Sequence, residues 1–286
     1  MSSRFCLWLA AIAANFAALA LPSPAAAEPV QLKHGALRIN GNLEVPDGRT
    51  LADGVAIVLH GTMSHHGQET IAVLQKNLKA RGVATLAVTL SLGIDDRKGP
   101  RACEVPHAYT DTDLGPELDR WIQWVAERGA RAIDYVGFSR GGSQIVDLLQ
   151  KQKGGRRAVL LAPLLQTPAE IAAAYTKAFG SDLSPALAAA RAAPRETRRV
   201  DFLLCKQAQV MGAAFLDAYR EIPAKAAAGI VQPVLVMIAG NDEIVPDLET
   251  RLPANVRHVV VEGSDHFFRD LNGEDAADAI AEFLRE

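Results

Sequence analysis

Cysteine is scarce in this chain: three in 286 residues, at Cys6, Cys103 and Cys205. No Cys-x-x-Cys and no His-Glu-x-x-His occurs, so neither familiar zinc-binding pattern is present. Aromatic residues make up 6% of the sequence, the formal net charge is −3, and no dense run of lysine and arginine appears. A mildly acidic chain without a basic stripe lacks the electrostatic footprint of a nucleic-acid-binding protein, and no nucleic acid is expected as a partner. The local group Arg191, Arg195, Arg198 and Arg199 is the exception, and it reads as a solvated helix face. Internal repeats and low-complexity linkers are missing as well, which favours one domain.

Long apolar runs are rare. The one from Phe5 to Leu21 is 17 residues, at the lower limit for a membrane span. Arg4 precedes it and Pro22-Ser23-Pro24-Ala25-Ala26-Ala27 follows, the layout of a secretory signal peptide over residues 1–27. An uncleaved anchor is the alternative. Cys6 sits early in the run, not at its end, which argues against lipid attachment at the cleavage site. Cleavage after Ala27 leaves residues 28–286, one charge more negative and long enough for a large core. The mature protein is therefore expected to be exported, periplasmic or secreted, without a stable membrane anchor. In an oxidising compartment Cys103 and Cys205 invite a disulfide. It would close a loop of about a hundred residues, worth ~4–5 kcal/mol in the chain-entropy model. Two buried free thiols remain the other possibility.

Against these absences stands Gly137-Phe138-Ser139-Arg140-Gly141, a Gly-x-Ser-x-Gly motif. Ala132 to Val136 before it reads as a strand and Gly142 to Gln152 after it as a helix. A serine on a sharp turn from strand to helix exposes its hydroxyl above the sheet edge. The tight turn requires small neighbours, which Gly137, Gly141 and Gly142 supply. A nucleophilic serine also needs a base, and the base an orienting acid. Asp242 lies just past the apolar strand Val234–Ala239, and His266 follows another strand pattern, Val256–Val261. Glu243 stays open as an alternative acid. Asp265 reads as a loop residue, because adjacent side chains seldom align as a base–acid pair. His34 and His258 read as structural, and His107 is an outsider near the site. His65 and His66, close to His60, read as a solvated loop at a pocket mouth, and no metal is expected.

These motifs give the chain its resemblance to the α/β-hydrolase superfamily, over nearly all of residues 28–286. Gly-Phe-Ser-Arg-Gly, Ala-Gly-Asn-Asp-Glu-Ile-Val-Pro, Gly-Ser-Asp-His-Phe-Phe and Leu59-His60-Gly61-Thr62 all look like that family's signatures. The resemblance implies a mainly parallel eight-stranded sheet with helices on both faces, and a helical cap inserted at about 168–229. It implies Ser139 as nucleophile, His266 as base and Asp242 as acid. An oxyanion hole would use the backbone N–H of Arg140 and that of Thr62 or Met63. No cofactor is implied, and the partner is a small-molecule acyl substrate.

Alternating strand and helix patterns along the chain agree with a parallel sheet. An antiparallel pair, Leu32–Ile39 with Asn42–Val45, is expected at the start. Within the insert, Tyr175, Phe179, Phe202, Phe215 and Tyr219 are candidates for pocket lining or for packing. The expected activity is that of a serine esterase. Acyl transfer to an alcohol or amine, peptide hydrolysis, and a non-catalytic exported binding protein on the same fold are the alternatives.

Overall fold

Apolar strands and amphipathic helices alternate along most of the chain, which a computed structural model describes over residues 27–151 and 154–286. The expected signal peptide thus falls outside the described residues, Ala27 excepted. The described part opens with β1 (Glu28–His34) and β2 (Leu37–Glu44). Then come β3 (Val55–Leu59), α1 (Glu69–Ala80), β4 (Thr85–Thr89), α2 (Leu114–Glu127), β5 (Ile133–Phe138), α3 (Arg140–Lys151) and β6 (Ala158–Leu161). An inserted segment holds α4 (Pro168–Phe179), α5 (Ser184–Ala192), β7 (Thr197–Phe202), β8 (Cys205–Met211) and α6 (Gly212–Ala218). The alternation resumes with β9 (Val234–Ala239), α7 (Leu248–Arg251), β10 (Arg257–Val261) and α8 (Leu271–Arg285).

Eight strands form one sheet in the order β1-β2-β4-β3-β5-β6-β9-β10. β2 runs antiparallel to β1 and β4, and the others are parallel. Both faces of the sheet are covered, so its central strands are apolar at successive positions. Along β3, Val55, Ile57 and Leu59 pack with residues of α2 and α3 such as Trp121 and Ile145. Ala56 and Val58 pack on the other face with residues of α1 and α8 such as Leu78 and Ile280. Side chains of a strand alternate between faces, so one five-residue strand serves two cores.

The opening hairpin differs from expectation. Its turn falls after His34, at Gly35 with φ 57°, and β2 continues through Asn40 and Gly41. Gly41 marks a close approach: a Cβ there would lie 2.9 Å from the Ala87 carbonyl oxygen and 3.2 Å from Trp121. The insert carries the expected helices and, in addition, an antiparallel two-stranded hairpin, β7 with β8. Arg198 and Arg199 lie on β7, whereas Arg191 belongs to α5, so the arginine group is exposed but does not share one helix face.

The insert has its own apolar cluster, including Tyr175, Leu183, Phe202 and Phe215, and Met63 of the body packs into it. Among the described residues, three features stand out in fastening it to the body. Cys103, in the loop after β4, is disulfide-bonded to Cys205 at the start of β8. His107 exchanges backbone hydrogen bonds with the same strand, from its N–H to Gln209 O and from Met211 N–H to its carbonyl, each 2.8 Å. Arg220 reaches three carboxylates, Asp111, Asp147 and Asp217, at 3.0–3.2 Å. The bridge joins residues 102 apart. Replacing both cysteines by serine is expected to lower the unfolding free energy by ~4 kcal/mol in denaturant titrations. A loss below about 1 kcal/mol would show that the remaining fastenings suffice.

Candidate active site

The order of the sheet places the site. The chain leaves β3 for β4 on one side and then returns to β5 on the other. In open α/β sheets a ligand crevice forms at such a switch point, beyond the C-terminal ends of the strands. Four loops meet there: Thr62 follows β3, Ser139 follows β5, Asp242 follows β9 and His266 follows β10.

Ser139 occupies the left-handed region at φ 55°. For a residue with a side chain that conformation costs of order 1–3 kcal/mol and needs support from its surroundings. The support is steric and polar. The Ser139 N–H donates to Leu161 O at 2.8 Å, and its carbonyl accepts from the N–H groups of Gly142 at 3.0 Å and Leu164 at 3.2 Å. Glycine lets the elements close around it: a Cβ on Gly137 would meet Gly141 O at 2.5 Å, and one on Gly141 would meet His60 O at 2.7 Å.

Ser139, His266 and Asp242 form one hydrogen-bonded line. His266 Nε2 lies 2.9 Å from Ser139 Oγ, and Nδ1 lies 2.7 Å from Asp242 Oδ2. The three are 6%, 4% and 9% exposed. Burial pushes the Asp242 carboxyl up, but the His266 bond and the N–H groups of Val245 and Ile244, both 2.8 Å from Oδ1, hold it below the usual carboxylate range. An ionised acceptor on Nδ1 fixes the hydrogen there and leaves Nε2 free to accept from the serine. The rings of Phe138 and Phe267 flank the imidazole with centroids 5.2 and 5.4 Å away.

Behind the β3 loop lies a second polar chain. His60 Nδ1 donates to Gly61 O at 2.8 Å, while Nε2 accepts from Leu90 N–H at 3.2 Å and from Arg97 Nη2 at 3.1 Å. Burial, then the Arg97 charge, depress His60 to about 3 and keep it neutral. The Gly61 carbonyl shares its peptide with the Thr62 N–H, so the hydrogen bond from His60 polarises that donor. Met63, with φ 55°, turns its carbonyl to the Arg101 N–H at 2.8 Å and its side chain toward the insert, 3.9 Å from Cys205 Sγ. Arg140 opens α3, so its N–H has no acceptor within the helix.

The other sequence candidates separate from this centre. Glu243 is exposed while its neighbour Asp242 is buried. Asp265 accepts from Phe267 N–H and pairs with Arg269. His258 lies on β10, 3.5 Å from Glu249, and His34 ends β1. His65 Nδ1 accepts from Gly67 N–H, and His66 bonds Thr89 Oγ1. His107 is buried and takes its Nδ1 hydrogen bond from Arg101 Nε at 3.0 Å. Among the aromatics of the insert, Tyr175, Phe179 and Tyr219 line a cavity, whereas Phe215 is buried packing.

Two cavities share a wall. One, of about 410 Å³, is lined by Ser139, His266, Thr62 and Met63. The other, about 320 Å³, lies under the insert, and both are bordered by Thr62, Leu164, Leu204 and Ile244. Sequence reasoning missed Arg97 and Arg101, buried cations whose hydrogen bonds go to carbonyls and imidazoles. It also missed the Leu203-Leu204 turn, since nothing local marks either feature.

No protein-family model matches the chain, and comparison with curated proteins finds no match. Solved structures do resemble it. Est1E from Butyrivibrio proteoclasticus superposes with a TM-score of 0.66 at 18% identity, over 90% of this chain and 97% of that one. The Pyrococcus furiosus esterase Pf2001 gives 0.60 at 16%, over 91% and 90%. An alpha-beta serine hydrolase homologue from Coxiella burnetii gives 0.55 at 15%, over 90% and 97%. With the sheet order above, these likenesses show that the chain has the α/β-hydrolase fold.

Two buried histidines beside the site set a dependence on pH. Burial, then the Arg101 charge, depress His107 to about 4; His60 lies lower still. In the unfolded chain both bind protons at about pH 6.5. Their contribution to stability is therefore complete above that pH and falls as the pH drops toward each folded value, by up to ~1.4 kcal/mol per pH unit for each. Urea titrations between about pH 6.5 and pH 4 should show a shallower decline for His107→Phe than for the parent. Equal slopes would contradict a neutral buried His107.

Proposed function

We propose that the protein is an exported serine hydrolase that cleaves ester-type acyl bonds. The observation that carries this reading is the unbroken line from Asp242 through His266 to Ser139 at the mouth of a cavity. In the proposed reaction His266 Nε2 takes the Ser139 proton as Oγ attacks the ester carbonyl. Asp242 keeps the imidazole in the required tautomer and stabilises the imidazolium. The N–H groups of Arg140 and Thr62 bind the oxyanion, and each such donor is worth roughly 10²–10³ in turnover. Thr62 is preferred over Met63 because its peptide is the one that His60 and Arg97 polarise. Collapse of the intermediate expels the alcohol, protonated by His266, and leaves an acyl group on Ser139. Water, deprotonated by the same imidazole, then releases the acid and restores the serine.

Several features support the parts of this reading. Buried, preorganised donors act strongly where water is excluded, and the three residues of the line are all more than nine-tenths buried. The Cys103–Cys205 bridge supports export, since disulfides persist in oxidising compartments. A structure of Est1E has ferulic acid bound, which puts esters of aromatic acids beside esters of short aliphatic acids in a first substrate panel.

A fluorophosphonate should add once to the mature protein, as read by intact mass, and not at all to Ser139→Ala. The same substitution should lower ester turnover by about 10⁶-fold. Asp242→Asn, which spoils the tautomer and leaves the shape intact, should cost about 10⁴-fold. Folded protein that takes no phosphonate would turn the assignment toward a non-catalytic binding protein.

A further inference from the structure

On the serine-hydrolase reading, the leaving group of a bound ester lies beside His266, which protonates it as the bond breaks. His266 and Phe267 line the catalytic cavity and do not border the one under the insert. The acyl group is left with the second cavity, which Thr62, Arg140 and Ser143 border on the oxyanion side. Leu164, Leu204 and Ile244 form the neck between the two.

The neck is held by an unfavourable turn. Leu203 and Leu204 connect β7 to β8, a place where glycine and asparagine are preferred. Leu203 has φ 54°, and Leu204 is 71% exposed. The Tyr219 hydroxyl accepts the Leu203 N–H at 2.7 Å, and the disulfide follows at Cys205. Leu203 held in such a conformation, with each leucine of the turn bordering two cavities, points to a functional contact.

Past Leu203 the second cavity meets an inner chamber of about 50 Å³, with Asp111, Arg140, Asp217 and Ala218 bordering both. The charged groups there are already engaged. Asp111 accepts from Gln144 and Arg220, Asp217 accepts from Asp111 N–H and Arg220, and Arg140 donates to Ala218 O. Two buried polar atoms of chamber-lining residues are not engaged. Neither His107 Nε2 nor the Tyr109 hydroxyl has a hydrogen-bond partner among the described residues. His107 is 4% exposed, and because its Nδ1 accepts from Arg101, its Nε2 carries the hydrogen and can only donate. A buried donor without an acceptor is costly, and a bound ligand can remove that cost.

We propose that the second cavity and the inner chamber form one acyl site for an uncharged, ring-bearing acid whose far end carries an oxygen acceptor. A phenolic hydroxyl or a methoxy group at that end accepts the His107 Nε2–H, and Tyr109 completes its hydrogen bonding. The walls suit a ring, since Ile171, Tyr175, Phe179 and Tyr219 supply apolar and aromatic surface. The carboxylates of Asp111 and Asp217 and the guanidiniums of Arg101 and Arg140 are already hydrogen-bonded to one another's neighbours or to carbonyls, so the chamber favours neither sign of charge at the far end. The chamber has room for one or two small polar groups, on the scale of one or two water molecules.

The test compares the ethyl esters of para-hydroxyphenylpropanoic acid and of its para-methyl counterpart. The parent protein should favour the hydroxylated ester by about ten-fold or more in kcat/KM, because a site built to bond a hydroxyl rejects the analogue without it. The ratio should fall to about one in His107→Phe and decline in Tyr109→Phe. It is taken within each protein, so a general loss of activity does not enter. Should His107→Phe not fold, the parent's ratio and Tyr109→Phe still decide. Equal rates for the two esters in the parent would mean that water satisfies His107 and would overturn the proposal. So would a preference unchanged in both variants. A parent that neither takes a fluorophosphonate nor hydrolyses para-nitrophenyl acetate would instead overturn the serine-hydrolase reading beneath it.

Discussion

Ser139 is held in a left-handed backbone between β5 and α3, and much of the molecule serves that one strained turn. The turn exists only because strand, helix and the β3 loop approach so closely that a Cβ on Gly137 would lie 2.5 Å from Gly141 O and one on Gly141 2.7 Å from His60 O. The same approach sets the β3 loop against the first turn of α3, so the N–H groups of Thr62 and Arg140 belong to one small region. The parallel sheet then supplies the partners, because strands running in one direction deliver Asp242 and His266 to the same edge. Strain at the serine is thus supported by a buried sheet whose central strands are apolar on both faces.

The polar chemistry around the turn is layered. His266 and Asp242 address the serine, while His60 and Arg97 act one layer back, on the peptide that carries the Thr62 N–H. Arg101 joins the body to the insert: its backbone N–H holds Met63, and its guanidinium holds the Leu92 and Pro106 carbonyls and His107. Buried cations are expensive, and here they are met by carbonyls and imidazoles as well as by the more distant carboxylate of Glu117. They order the loop from Leu90 to His107, which forms one side of the cavity at Ser139 and anchors the insert through the disulfide. The insert and the β3 loop are consequently joined through the same few residues, Met63 above all.

Legibility in the sequence followed locality. The line Ser139–His266–Asp242 could be read because each member sits in a short motif just past an apolar strand. The buried strands β3, β5 and β9 were legible for the same reason. Gly41 falls between the two expected opening strands, not within one, because its requirement comes from Ala87 and Trp121, which are distant in sequence. The β7–β8 hairpin was hidden because Thr-Arg-Arg-Val-Asp-Phe and Cys-Lys-Gln-Ala-Gln-Val-Met carry little apolar alternation. Their pairing is completed by a disulfide and by His107, contacts that no local window contains. Arg97 and Arg101 escaped for the complementary reason, since a charged residue gives no local sign that it will be buried.

The central claim is that Ser139 carries the acyl group between two half-reactions. Its most direct test is to mix the protein with a slowly hydrolysed aryl ester, quench in acid at early times and map the modified peptide by mass. An acyl increment is expected on the peptide containing Ser139, formed with a burst of released phenol and decaying at the rate of steady turnover. Turnover without an adduct, or with the adduct on another residue, would contradict it.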